Sequence, residues 1–250
     1  MLLRFLDALG EVLLPSACLV CHRPIRGQQL CGRCHPPIPR FGARCVTCWT
    51  PALVLDEGGR CAPCHTFPLP ARRMRFLWSY GGEARNLITV MKYQPSHVLA
   101  RTAGEVLGEN LASLYPGEGW DLVVPMPASR ASLRERGFNQ CAILAARLPG
   151  LTGSTRDSHR ALRHRGVRAP QASLAHDLRL KNVRRAFSGE PGLVAGCTCL
   201  LVDDVITTGA TAAAAATALL EAGALAVDLL ALARAPVWSE FRARLSTVRR

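Results

Sequence analysis

The sequence predicts an α/β chain built on a mainly parallel sheet flanked by helices, with a small cysteine-rich segment in front of it. Three observations predict it. Eight of the eleven cysteines fall in the first 64 residues, as four CxxC pairs. Beyond them, short aliphatic runs alternate with helical patterns, the order that gives parallel strands joined by crossovers. One of these runs, "CTCLLVDDV", ends in two adjacent carboxylates followed by "ITTGAT". Such sheets bind ligands at that end of their strands.

The first 15 residues, "MLLRFLDALGEVLLP", place Leu2, Phe5, Leu6, Leu9 and Leu13 at helical spacing, while Arg4, Asp7 and Glu11 break any continuous apolar core. A short amphipathic helix docked on the protein is expected, rather than a signal peptide or a span. The pairs Cys18/Cys21, Cys31/Cys34, Cys45/Cys48 and Cys61/Cys64 follow. A CxxC knuckle converges two thiolates on one cation, and two knuckles complete a tetrahedral site. Four knuckles predict one or two structural zinc sites, and the sequential and interleaved pairings both satisfy the spacing. The region is rich in Pro and Gly and poor in periodicity, so metal would hold it together. We place this unit at residues 1–70 and a second domain at 71–250.

In the second unit "RFLWSYGG" reads as a strand and "EARNLITVMKY" as a helix with Leu87, Ile88 and Met91 on one face. A helix from about Ser96 to Leu114 follows, with Ser96 as its N-cap. "WDLVVPMP" is a buried strand, and "SLRERGFNQCAILAARL" a basic helix. Then come "CTCLLVDDV" as strand, "GATAAAAATALLEAGA" as helix and "LAVDLLALA" as strand. Cys141, Cys197 and Cys199 sit in these apolar patterns and are expected in the core.

The formal charge is +13, and its position says more than its size. Between Ser129 and Arg185 thirteen Lys or Arg face only Glu135, Asp157 and Asp177, a net of +10. Nearly all are Arg, the residue suited to phosphate, so a polyanionic partner is expected. In the front region Arg23, Arg26, Arg33, Arg40 and Arg44, with Phe41 and Trp49, offer further contacts to a nucleic-acid strand. No membrane insertion is expected: the longest apolar region, Ala210 to Ala233, is interrupted by Glu221 and Asp228.

Leu200, Leu201 and Val202 carry Asp203 and Asp204 to the rim of the sheet. The small residues from Thr207 to Thr211 let backbone N–H groups approach an anion where a helix begins. Thr207, Thr208 and Thr211 add hydroxyls. The loop suits a phosphate, and the carboxylates suit ribose hydroxyls or a metal beside it.

"CLLVDDVITTGAT" resembles the signature of type I phosphoribosyltransferases, which bind 5-phosphoribosyl-1-pyrophosphate (PRPP). The four knuckles, "SYGGEARNLITVMKY", "VVPMPASRASLRERGFNQ", "RAPQASLAHDLRLKNVRRAF" and the acid-pair loop together resemble the ComF family of bacterial competence-associated proteins. The resemblance runs over nearly the whole chain. It implies a type I phosphoribosyltransferase fold with a mobile hood between Arg160 and Gln171. It implies that Asp203 and Asp204 hold the ribose hydroxyls, and that Val205, Thr207, Thr208, Gly209, Ala210 and Thr211 cradle the 5′-phosphate. Pro127, Arg130, Arg134, Arg136, Asn139, Gln140 and Gln171 then face the pyrophosphate and the acceptor, with Mg²⁺ on PRPP. Two stretches depart from the family pattern: the loop "PMPASRAS", and "RHRGVRAPQ" with Arg168 where Thr is usual. A link to natural transformation is also implied, with single-stranded DNA, a DNA-uptake helicase and a recombination mediator as partners in the cytoplasm. Transfer of the pentosyl group from PRPP and non-catalytic binding of PRPP or DNA both remain open.

Overall fold

A computed structural model of the chain describes residues 17–26, 29–38, 43–52, 54–66, 69–94, 96–148, 158–166 and 186–235. The expected N-terminal helix, Arg40, Phe41, Arg168 and Gln171 lie outside the described residues, as do residues 167–171 of the expected hood, whose other part, 160–166, includes a short strand.

Four strands form a parallel sheet: β1 (Arg73–Ser79), β2 (Leu122–Pro125), β5 (Thr198–Ile206) and β6 (Ala226–Arg234), in the order β1-β6-β5-β2. The central pair, β5 and β6, runs side by side from Thr198 opposite Ala226 to Ile206 opposite Arg234. Their residues are buried nearly throughout, as expected of parallel strands covered on both faces. The α/β class expected from the sequence is borne out.

Besides a short helix of the cysteine-rich part, α1 (Ala62–Thr66), and a single turn before β5, α7 (Pro191–Val194), helices cover each face of the sheet. Helix α2 (Gly82–Tyr93) buries Ala84, Leu87, Ile88 and Met91 on one side, where α3 (His97–Glu109) joins it. On the other side α8 (Ala210–Glu221) packs an alanine face against Leu201, Leu229 and Ala231. Its small side chains let it lie close to the sheet, and to a two-stranded antiparallel sheet of β3 (Leu162–His164) and β4 (Phe187–Gly189). Ser96 caps α3 as expected, accepting from Leu99 N at 3.1 Å.

Two expected helices are shorter than the sequence reading. The first ends at Glu109, and after Asn110 a separate turn, α4 (Leu111–Leu114), continues. The Asn110 amide bonds back to Val106 O at 2.8 Å, which competes with continuation of the helix. The basic helix is two: α5 (Arg130–Arg136) and α6 (Gln140–Ala145). Gly137 ends α5 in the left-handed region, φ 79°, and Asn139 starts α6 by accepting from Cys141 N.

The cysteine-rich part rests on this body. Cys18, Leu30 and Cys31 join the core on the α2–α3 side. The loop around Cys45 and Cys48 lies against the edge strand β1, where Met74 N donates to Thr47 O at 2.7 Å. The nearly buried Arg75 fixes the seam, donating to Val46 O and Leu114 O, with its guanidinium 4.3 Å over the Trp49 ring. At the amino end of β6, buried Asp228 accepts from Arg72, Arg73 and Trp120.

The acid-pair site and the cysteine clusters

Strand β5 runs straight through the acid pair to Ile206, so both carboxylates stand at the carboxyl edge of the sheet. Gly209 follows at φ 84°, a left-handed conformation that strains any residue with a Cβ. It turns the chain directly into α8, whose first N–H groups have no intrahelical acceptor. The Thr208 hydroxyl accepts from Ala210 N at 3.2 Å and so shapes the turn. Val205 and Ala210 are half-buried, Gly209 is buried, and Thr207, Thr208 and Thr211 are exposed. The loop thus offers hydroxyls and backbone donors to the solvent beside two carboxylates.

The two carboxylates differ. Asp204 is 5% exposed and held on both sides. Lys92 Nζ lies 3.0 Å from its Oδ1, and Gln140 Nε2 donates to its Oδ2 at 2.6 Å. Asp203 is half-buried; its Oδ1 accepts from Asp204 N at 2.8 Å, and the Cys141 thiol lies 3.6 Å away. Burial first, and the Asp204 charge second, push Asp203 up to about 7. The same burial and the two carboxylates push the Cys141 thiol well above its ordinary value.

Of the expected site residues, Gln140 is brought onto the acid pair by the start of α6. Asn139 is spent on structure: its Oδ1 caps α6 and its Nδ2 donates to Met126 O at 3.0 Å, tying α6 to the end of β2. Pro127 sits half-buried just beyond β2. Arg130 and Arg134 are exposed on α5, where Ser129 is the cap. Arg136 is half-buried, and its Nε has no partner among the described residues.

Lys92 and Cys141 were not foreseen as neighbours of the acids. A signal for Lys92 was present: Ala84, Ile88 and Lys92 follow at i, i+4, i+8, so the lysine continues a buried stripe of α2. A cation on a core stripe needs an acidic partner. Cys141, read as a core residue, is buried as expected, and so are Cys197 and Cys199.

The eight front cysteines gather sequentially, Cys18, Cys21, Cys31 and Cys34 in one group and Cys45, Cys48, Cys61 and Cys64 in the other. Within each group the sulfurs lie within 4.8 Å of one another. Cys21–Cys31, Cys48–Cys61 and Cys45–Cys64 are 3.7, 3.6 and 3.7 Å apart. Four thiolates tetrahedrally around zinc at ~2.3 Å stand about 3.8 Å from one another, so both groups fit the ion. Backbone N–H groups of Cys31 and Cys61 point at Cys18 and Cys45 sulfur at 3.4 and 3.3 Å, as zinc knuckles require. Either group could hold zinc, which would supply the cross-link that this segment's small core lacks.

Fold and site together define a parallel-sheet α/β protein with an acid pair and a helix-led loop at its strand ends, joined to two four-cysteine clusters. No protein-family model matches the chain. Over 225 residues it is 28% identical to the DNA utilization protein YhgH of Salmonella typhimurium, and 29% identical to that of Escherichia coli K12. Each alignment covers 88% of this chain and 97% of the relative. It is 25% identical over 205 residues to the competence protein ComFC of Bacillus subtilis, covering 78% of this chain and 80% of that one. These homologues bear out the resemblance read from the sequence. Among solved structures, glutamine PRPP amidotransferase from B. subtilis overlaps 54% of this chain at 24% identity and TM-score 0.38. A phosphoribosyltransferase from Corynebacterium diphtheriae overlaps 57% at 19% identity and TM-score 0.29. The chain spans about a quarter (26%) of the length of the amidotransferase.

Proposed function

We propose that the chain is a PRPP-binding protein of the phosphoribosyltransferase type that serves DNA uptake or utilization in the cytoplasm. The observation that carries the reading is the junction of β5 and α8. It sets two carboxylates, which accept hydrogen bonds from hydroxyls, beside a turn at Gly209 and a helix start, which donate to phosphate. A phosphorylated ribose satisfies both halves. In this reading Asp203 and Asp204 hold the ribose 2′- and 3′-hydroxyls. Thr207, Thr208, Gly209, Ala210 and Thr211 hold the 5′-phosphate, with Val205 at the base of the loop. Lys92 yields part of Asp204 to the ribose and keeps the site neutralised.

Arg130, Arg134 and Arg136, on α5 beyond β2, and Pro127 line the side assigned to pyrophosphate; Gln171 is assigned there too. Mg²⁺ would come with PRPP, and Asp203 offers the hard oxygen such an ion accepts. In transfer, a lone pair of the acceptor forms the new bond to the anomeric carbon. The bond from that carbon to pyrophosphate breaks, and pyrophosphate leaves with the electron pair. Arginines oppose the charge that develops on it. Single-stranded DNA is the proposed partner, because the relatives are named for DNA utilization and competence and the chain's charge is +13.

Calorimetry with PRPP and Mg²⁺ tests the reading on wild type and on Asp203→Asn/Asp204→Asn. The double variant should bind more weakly by about 2–4 kcal/mol, two charge-assisted contacts being lost. Equal binding would sink it. Pyrophosphate release with and without single-stranded DNA then separates an enzyme from a non-catalytic binder.

A further inference from the structure

A basic concavity opens on the α2–α3 side of the sheet, between α3 and α6. Its volume is about 250 Å³, and four of the residues that line it are His97, Arg101, Arg147 and His159. Two matched pairs build it. His97 and Arg101 are i and i+4 on α3, and Ile143 and Arg147 are i and i+4 at α6 and its end, so each pair presents one helix face. Ala142 and Ile143 form an apolar floor. The helices can meet this closely because Gly104 faces the Leu144 backbone: a Cβ there would stand 3.2 Å from Leu144 Cα and 2.9 Å from the Arg147 stem. That close approach holds Arg147 at the rim.

Neither Arg101 nor Arg147 forms an ion pair among the described residues, although both are exposed and converge on one hollow. Two guanidiniums over an apolar floor are complementary to a group that is anionic on one side and flat and apolar on the other. His97 adds a stacking face: it is exposed, and its ring lies 4.1 Å from that of buried Phe138. The groove also has a direction. Helix α6 begins at Gln140 on Asp204 and ends at Ala145, about 8 Å further along at 1.5 Å per residue, with Arg147 just beyond that end.

We propose that this groove binds a nucleotide phosphate, with the sugar or base against Ile143 and His97, as a site separate from the acid pair. The volume falls just below the ~300–1,000 Å³ of drug-sized pockets and suits one nucleotide unit rather than a duplex. That unit is either a free nucleotide or one member of a single strand. In the second case the strand lies along α6 with one end toward Asp204.

Arg101→Gln/Arg147→Gln removes both charges and keeps most of each stem. Binding of an end-labelled thymidine oligonucleotide and of thymidine monophosphate is measured on wild type, on this variant and on Asp203→Asn/Asp204→Asn, with PRPP binding and melting temperature alongside. The arginine variant should bind the oligonucleotide about a hundredfold more weakly, at about tenfold for each of the two charged contacts. The slope of log K against log salt should fall by about 1.4, for two phosphate contacts on a single strand. PRPP binding and melting should stay unchanged. If only monophosphate binding falls, the groove holds a free nucleotide. Wild-type affinity for both ligands in the arginine variant, or no binding of either by wild type, overturns the proposal. Oligonucleotide binding that survives in the aspartate variant while PRPP binding is lost shows that the two sites are independent.

Discussion

Asp203 and Asp228 are carboxylates of neighbouring strands whose surroundings act in opposite directions. Burial and Asp204 raise Asp203 to about 7, above the unfolded value, so its contribution to stability is present at acid pH and lost as pH rises through 7. Asp203→Asn should therefore be more stable than wild type to denaturant at pH 8, by on the order of 1–2 kcal/mol because water reaches the rim and screens the charge, with the gap closing by pH 5. Burial would raise Asp228 too, but Arg72, Arg73 and Trp120 hold it below the usual carboxylate range. Its contribution is present above the unfolded value and lost in acid. Asp228→Asn should destabilise by about 3–5 kcal/mol at neutral pH, since it leaves two arginines facing an uncharged amide, and by less as pH falls toward 3. Lys92 is one of the groups that lower Asp203. In Lys92→Met the pH midpoint of PRPP binding should move upward, which calorimetry across pH 6–9 reads directly. The sequence disclosed Asp203, Asp204 and the loop because strand, turn and helix start are contiguous there. It did not disclose Lys92 or Cys141 as their neighbours, because those contacts join three separate elements and depend on how α2 and α6 cross the sheet.

At the scale of elements, local chemistry decided which boundaries could be read. Strand β5 and helix α8 have strong patterns and fall where the residues place them. The stretch from Ser132 to Leu148 reads as one helix because its apolar positions keep phase across Gly137. The left-handed glycine and the Asn139 cap break it, and the break turns Gln140 toward Asp204. Gly189 shows the same dependence on neighbours. A Cβ there would lie 2.6 Å from both Ala218 O and the Ala222 methyl, the first of them backbone that cannot swing aside. Gly189→Ala should cost about 1–3 kcal/mol, visible as a lower denaturant midpoint with an unchanged slope.

Across the whole molecule, the two cysteine clusters act on more than their own loops. One contributes Cys18 and Cys31 to the main core, and the other lies along β1. Stripping zinc with a chelator should lower the melting temperature of the entire chain in one transition, followed by circular dichroism; an α/β domain that melts unchanged would show the clusters to be independent. The sequence announced the clusters through spacing alone, but not their pairing or their seat on the sheet, which rests on Arg75 and Trp49 meeting across a distance no local pattern encodes. The Thr47–Met74 contact carries a further meaning when the chain is imagined leaving the ribosome. Arg73 of β1 pairs with Asp228 of β6, and at ~5–20 residues per second the partner emerges roughly 8–30 s later. During that interval β1 is a bare strand with two open sides. The knuckle that precedes it has already emerged, and once loaded with metal it shields one of them, so a cell short of zinc would expose nascent chains to strand-to-strand association before they ever reach their ligand.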